Sequence, residues 1–128
     1  MEGKRILVVG LDPAVIDFST PFFADKPWIN AEVIHAGLAR DKAALAAHRH
    51  ETDLCMIDMG ETAEAVTAAA LAERHYDVVV FGAGVRNDPQ HLLLFEKLIN
   101  LVHREAPGTR IAFNTRPDDT ADAALRWA

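Results

Sequence analysis

Four short apolar runs, RILVVG (residues 5–10), DLCMID (53–58), DVVVFG (77–82) and RIAFN (110–114), constrain this chain more than any other feature. Each is aliphatic and nearly continuous, without the alternation of a sheet that faces water on one side. Strands of this kind are buried on both faces and pair in parallel. The segments between them carry helical spacing. NAEVIHAGLARDKAALAAHRH opens on a capping Asn30, and ETAEAVTAAALAERH is rich in alanine. DPQHLLLFEKLINLVHREA begins with Asp88 as cap and Pro89 in the first turn, and DTADAALRWA closes the chain. The first helix fits its pattern least well, because Asp41 and His48 fall inside the apolar arc of Val33, Ile34, Leu38 and Leu45. A β-α-β-α-β-α-β-α series with right-handed crossovers packs as a three-layer α/β sandwich, with helices on both faces of a four-stranded parallel sheet. The expected strand order is 2-1-3-4. No repeat, low-complexity tract or linker interrupts the series, so residues 1–128 are expected to form a single domain.

Half of the residues are apolar and a quarter are charged, which suits one hydrophobic core. A net charge of -6 and the lack of any Lys/Arg run argue against a nucleic-acid binder, which needs a basic face to neutralise phosphates. The single cysteine, Cys55, allows neither an internal disulfide framework nor a cysteine-based zinc site, and its place in DLCMI is that of a buried strand thiol. No signal-peptide pattern and no membrane-length apolar segment is visible, so a cytoplasmic protein with no membrane partner is expected.

In a parallel sheet, ligands bind beyond the carboxyl ends of the strands near the point where strand order reverses, here between the first and third strands. Four loops converge there: LDPAVIDFSTPFFADKPWI, MGET, AGVRND and TRPDD. The first is long for a connection without structure of its own. It holds Phe18, Phe22, Phe23 and Trp28 and is stiffened by Pro13, Pro21 and Pro27. Three roles suit residues 12–29: a plug for the open end of the sheet, a ligand lid, or a surface for a partner.

The stretches RILVVGLDPAVIDFSTP, AEVIHAGLA, DLCMIDMGETA and VVVFGAGVRNDPQHLLLFEKLINLVHREAPGTRIAFNTRPDDTADAALRW together resemble a group of small bacterial proteins to which no activity is assigned. The resemblance covers nearly the whole chain. It implies a Rossmann-like or flavodoxin-like architecture and a cytoplasmic setting, and no catalytic residue or cofactor.

Better-known families with this kind of sheet are distinguished by their loops. A dinucleotide site wants G-x-G-x-x-G after the first strand, where this chain has GLDPAV; the later GAGVRN follows the wrong strand and has Asn87 in place of the third glycine. NAD is therefore disfavoured. Asp12 and Pro13 do not resemble the hydroxyl-rich phosphate loop of flavodoxins, which disfavours FMN. Asp12 and Asp58 resemble response-regulator positions. The acidic pair, hydroxyl and lysine of receiver phosphotransfer are missing, so Asp58 is not expected to accept a phosphoryl group, although a receiver-like interaction role stays open. VFGAGVRND is similar to the oxyanion block of SGNH-type esterases, but the serine after the first strand and the terminal D-x-x-H are absent. Ser19 has no positioned base, so a degenerate hydrolase of this kind is the weakest reading.

The remaining candidates point to an anion. Arg86 and Arg116 leave adjacent strands and suit bidentate contacts with phosphate or carboxylate. Gly82 and Gly84 would let backbone N–H groups face the same space, Asn114 and Thr115 could orient the ligand, and Asp12 and His35 are weak catalytic candidates. On this reading GAGVRND is a tight turn that presents Arg86 to a shared pocket. The competing reading pairs the arginines with Asp88, Asp118 or Asp119 and gives the glycines only a positive-φ turn. His48 and His50 are two apart, do not share a helix face, and specify no metal. The apolar arc of Leu92, Leu94, Phe95, Leu98, Ile99, Leu101 and Val102 spans about half the helix circumference, wider than the roughly 100° stripe of a one-sided helix. Association of copies through helix 89–105 is expected from it. The chain thus reads as a small-molecule-binding domain favouring an anionic ligand, with catalysis left open, and with a non-catalytic interaction module acting through residues 12–29 as the alternative.

Overall fold

The computed structural model describes residues 3–128. Four strands, β1 (Arg5–Leu11), β2 (Glu51–Ile57), β3 (Val78–Phe81) and β4 (Arg110–Phe113), form one sheet in the order β2-β1-β3-β4. All three pairings are parallel, with Val8 aligned to both Leu54 and Val80. The helices are α1 (Ala31–Ala47), α2 (Ala63–Glu73), α3 (Ala83–Asn87), α4 (Leu92–Glu105) and α5 (Thr120–Trp127). This is the expected three-layer α/β sandwich.

The continuous apolar runs have a direct cause. Successive strand side chains point to opposite faces, and in β1 and β3 both faces are covered. Leu7, Val9, Leu11, Val79 and Phe81 pack with Val85, Leu94, Leu98 and Val102 on one side. Ile6, Val8, Val78 and Val80 pack with Leu38, Leu45 and the alanines Ala121, Ala123 and Ala124 on the other. Edge strands are covered less completely: Leu54 on β2 and Phe113 on β4 remain partly exposed. No helix among the described residues is long and apolar enough to cross a membrane.

Local chemistry sets several boundaries. Asn30 Oδ1 accepts the N–H of Val33 and starts α1, as its position implied. Asp88 accepts from Gln90 N at 3.2 Å, but the element it starts is a 3₁₀ turn over Pro89–His91, and α4 proper begins at Leu92. The segment expected as a tight turn is instead the short helix α3. Gly82 precedes it with φ -68°, and the one described glycine with positive φ is Gly60. The positive-φ account of Gly82 and Gly84 is therefore corrected.

The broad apolar arc of α4 is used inside the fold. Leu94, Leu98, Leu101 and Val102 are buried, while Phe95 and Ile99 pack against the same core. Only Leu92 and Leu93, in the first turn, stay well exposed. The width of the arc consequently needs no second copy of the chain to explain it.

Asp41, which broke the pattern of α1, is 5 % exposed and faces the first turn of α5. Desolvation raises its pKa, and the Asp118 charge adds to this; the backbone N–H groups of Ala121 and Thr120 and the Thr120 hydroxyl oppose it without cancelling it. Oδ2 has no hydrogen-bond partner. A carboxyl whose folded pKa is raised holds its proton more tightly when folded, so its contribution is most favourable below the unfolded value near 3.9 and is lost as pH rises through the folded value. Asp41→Asn keeps an acceptor for α5 and removes the charge. It is expected to raise the urea midpoint at pH 7 and to approach the wild type only well below about pH 4, where the carboxyl is protonated in both states.

Candidate functional site

A cleft of about 540 Å³ opens at the carboxyl ends of β1 and β3, where Gly10, Leu11 and Gly82 form its floor. This is the point where the chain leaves adjacent strands for opposite faces of the sheet. Ile34 and Leu38 of α1 form one wall, and residues 114–117, between β4 and α5, form another. Asn87, Asp88, Gln90 and His91 close one end.

The aromatic segment 12–29 lines the cleft through Ile16, Phe22, Phe23, Trp28 and Ile29. It contains two 3₁₀ turns, Pro13–Val15 and Pro21–Phe23. Asp12 caps the first by accepting from Ala14 N, and Asp17 accepts from the Ser19 N–H and hydroxyl. The rings of Phe18 and Phe22 lie 5.1 and 5.0 Å from that of Phe23, and Lys26 Nζ stands 4.2 Å over Phe22 while donating to its carbonyl. The proline and aromatic content thus produces a braced wall that leaves a cavity open beneath it. Trp28, at the rim, is 64 % exposed.

Five sequence candidates, Gly82, Gly84, Asn114, Thr115 and Arg116, line this cleft; Asp12, His35 and Arg86 do not. Asp12 is occupied as a cap, and His35 lies exposed on α1. Arg86 turns to the end of β4, where Nη2 donates to Asn114 O at 2.7 Å and Nη1 to Asn87 Oδ1 at 2.8 Å. Its guanidinium lies 5.5 Å from the Phe113 ring centroid. The expected convergence of Arg86 and Arg116 on one anion pocket is not what the geometry gives.

Arg116 Nε is 2.5 Å from Asp118 Oδ1, and that contact, followed by the nearby acidic charges, raises the guanidinium pKa. Asp119 accepts from the Thr115 hydroxyl and from the backbone N–H groups of Thr115 and Arg116. Burial pushes Asp119 up, but these hydrogen bonds outweigh it and hold the carboxylate below its usual value. Lys26, the other cation of the lining, is bound to Asp25 at 2.9 Å. Against these two paired cations the lining carries Asp17, Asp25 and Asp88, so the cleft has no cationic surplus.

Asn114 works differently from the expected ligand contact. It is 5 % exposed, its Oδ1 accepts from Ala83 N at 2.7 Å, and its Nδ2 donates to Thr120 Oγ1 at 2.9 Å. One amide thereby ties the start of α3 to the start of α5. The N–H groups of Val85 and Arg86 both donate to Gly82 O and that of Gly82 donates to Val9 O, so with Ala83 four backbone donors of the GAGVRN segment are already used within the protein. This is the physical difference between α3 and a phosphate cradle.

Two residues of the cleft were not legible as site residues. Asp88 was read only as a cap or an arginine partner, and His91 was not singled out, yet they are 5 % and 6 % exposed and both line the cavity. The available signal was a histidine one turn beyond a strand-end loop. Among the described residues, no cluster of three or more His, Cys, Asp or Glu side chains is placed to hold a metal ion. No family model, curated protein or solved structure matches the chain.

Asp58 is engaged in local structure: Thr62 donates to it through both N and Oγ1, and Gly60 through N. The Thr62 hydroxyl is the main cause of its lowered pKa. Incubation with a small phosphodonor and magnesium is expected to leave Asp58 unmodified by intact mass; an adduct there would contradict this role. Asn114→Ala leaves the Ala83 N–H without its acceptor and removes the tie to Thr120, and is expected to cost about 1 to 3 kcal/mol in urea unfolding.

Proposed function

We propose that this chain is a small-molecule-binding domain whose ligand has an apolar or aromatic body. The observation that carries this reading is the cleft of about 540 Å³ at the strand-order switch point. Its volume falls within the roughly 300–1,000 Å³ common for ligand sites, and its lining is the usual mixture of apolar walls and a few polar groups. The phenylalanines and Ile29 supply surface for an apolar body, and Trp28 stands at the entrance. A preference for anions draws no support from the paired Lys26 and Arg116, and the hydrogen-bonded GAGVRN backbone supports a ligand without a phosphate to be cradled.

Trp28, on the aromatic segment beside the cleft, is a large apolar side chain left in water, and it favours a second reading in which segment 12–29 meets a protein partner. The two readings separate by titration. In a Trp127→Phe background, which isolates Trp28, aromatic small molecules should change the fluorescence saturably and raise the melting temperature. Ligand at a hundredfold excess over Kd adds about 2.7 kcal/mol of apparent stability. A flat fluorescence titration and an unmoved melting temperature across a broad aromatic set would remove the small-molecule reading and leave the partner reading.

A further inference from the structure

At one end of the cleft His91 is more than nine-tenths buried, although it belongs to a short 3₁₀ turn and not to the hydrophobic core. Its Nδ1 lies 3.3 Å from Gly84 O. A carbonyl oxygen only accepts, so the ring nitrogen facing it carries the proton. In a neutral imidazole the other nitrogen is then a bare acceptor. Nε2 makes no hydrogen bond among the described residues, and it is not one of the fully enclosed polar atoms that lack a partner. His91 is among the residues that line the cleft, so the cleft is the side from which a ligand would reach the ring.

The neighbouring carboxylate leaves this arrangement intact. Asp88 Oδ2 stands 4.0 Å from His91 Nδ1, beyond hydrogen-bond range, and accepts from Gln90 Nε2 at 2.9 Å. Its other oxygen accepts from Gln90 N. Gly84 is therefore the group that orients the ring. The backbone assists, because His91 N donates to Asp88 O and closes the 3₁₀ turn that carries the imidazole.

We infer that His91 is the specificity-determining residue of the cleft, its Nε2 accepting a hydrogen bond from an O–H or N–H group on a ligand with an apolar, aromatic body. This rests on the small-molecule reading above and names the ligand class within it. The chemistry is selective in one direction. A buried acceptor left without a partner costs free energy, so a ligand that brings a donor is favoured over an isosteric one that does not.

Two probes with the same ring system measure this: 2-naphthol, which carries the donor, and 2-methoxynaphthalene, which has it capped. Apolar burial alone favours the ether, since it adds a methyl group. Calorimetric titration of the full chain is expected to show 2-naphthol bound about tenfold more tightly, the size of one well-made hydrogen bond in a partly enclosed site. His91→Phe should abolish the preference while the ether still binds. Long-range proton–nitrogen NMR of the wild type should show the proton on Nδ1, with the Nε2 resonance moving when 2-naphthol is added and not with the ether. The NMR measurement decides the matter should the variant fail to fold. Equal affinity, preference for the ether, a preference that survives in His91→Phe, or a proton on Nε2 would each overturn the role of His91 and leave the cleft as a binding site. Failure of both probes to bind would instead overturn the aromatic small-molecule reading itself, and this inference with it.

Discussion

β1 and β3 lie side by side in the sheet, yet the chain leaves them in opposite directions, and this divergence is the constraint on which the rest of the structure depends. After β1 the chain reaches α1, which packs with α5 on one face. From β3 it enters α3 and then α4 on the other. Two hydrogen-bonded strands cannot send their connections to opposite faces without leaving a gap at their ends. The cleft is that gap. Because β1 and β3 are covered on both faces, its floor is rigid, and its variable parts are the loops that surround it.

The cleft stays open because its walls are tied to one another. Asn114 links the N-termini of α3 and α5, and Arg86 reaches back to the carbonyl of the same residue. At Gly37 a Cβ atom would stand 2.7 Å from Pro117 O, so α1 meets the loop before α5 backbone to backbone. The segment 12–29 is braced independently, by its two 3₁₀ turns, the first capped by Asp12, and by its phenylalanine cluster. These contacts give most of the polar side chains at the mouth a structural partner. Among the described residues Thr20 Oγ1, which also lines the cleft, and His91 Nε2 are without a partner, and of the two only the imidazole nitrogen is a pure acceptor.

How much of this was legible beforehand depended on the range of the physics involved. Continuous aliphatic runs implied strands covered on both faces, and Ile6 to Val9 and Val78 to Phe81 are so buried. Asn30 and Asp88 announced their capping roles because a cap acts over two or three residues. The broad arc of α4 was read correctly as apolar, but a helix over a sheet and a helix in a dimer present the same pattern, and only the tertiary structure shows that Leu94, Leu98 and Val102 are covered within their own fold. Asp41 looked like a flaw in α1 for a related reason. Its counterpart is the first turn of α5, far along the chain, and no local periodicity can signal it.

The candidate site shows the same division. Arg86 and Arg116 follow strands expected to be neighbours, and that adjacency in the sheet suggested a shared pocket. A side chain at a strand end has several directions open to it, and Arg86 takes the one offered by Asn114 O, 28 residues away, and by the Phe113 ring. The sequence by itself determined the parallel sheet, its order, the position of the mouth and the aromatic character of the segment beside it, since these follow from periodicity, crossover handedness and composition. Tertiary structure alone decided which polar groups were consumed as ties and which were left facing the cavity. That outcome turns on hydrogen bonds such as Asn114 to Ala83, which join residues 31 apart and form only once the strands have brought their loops together.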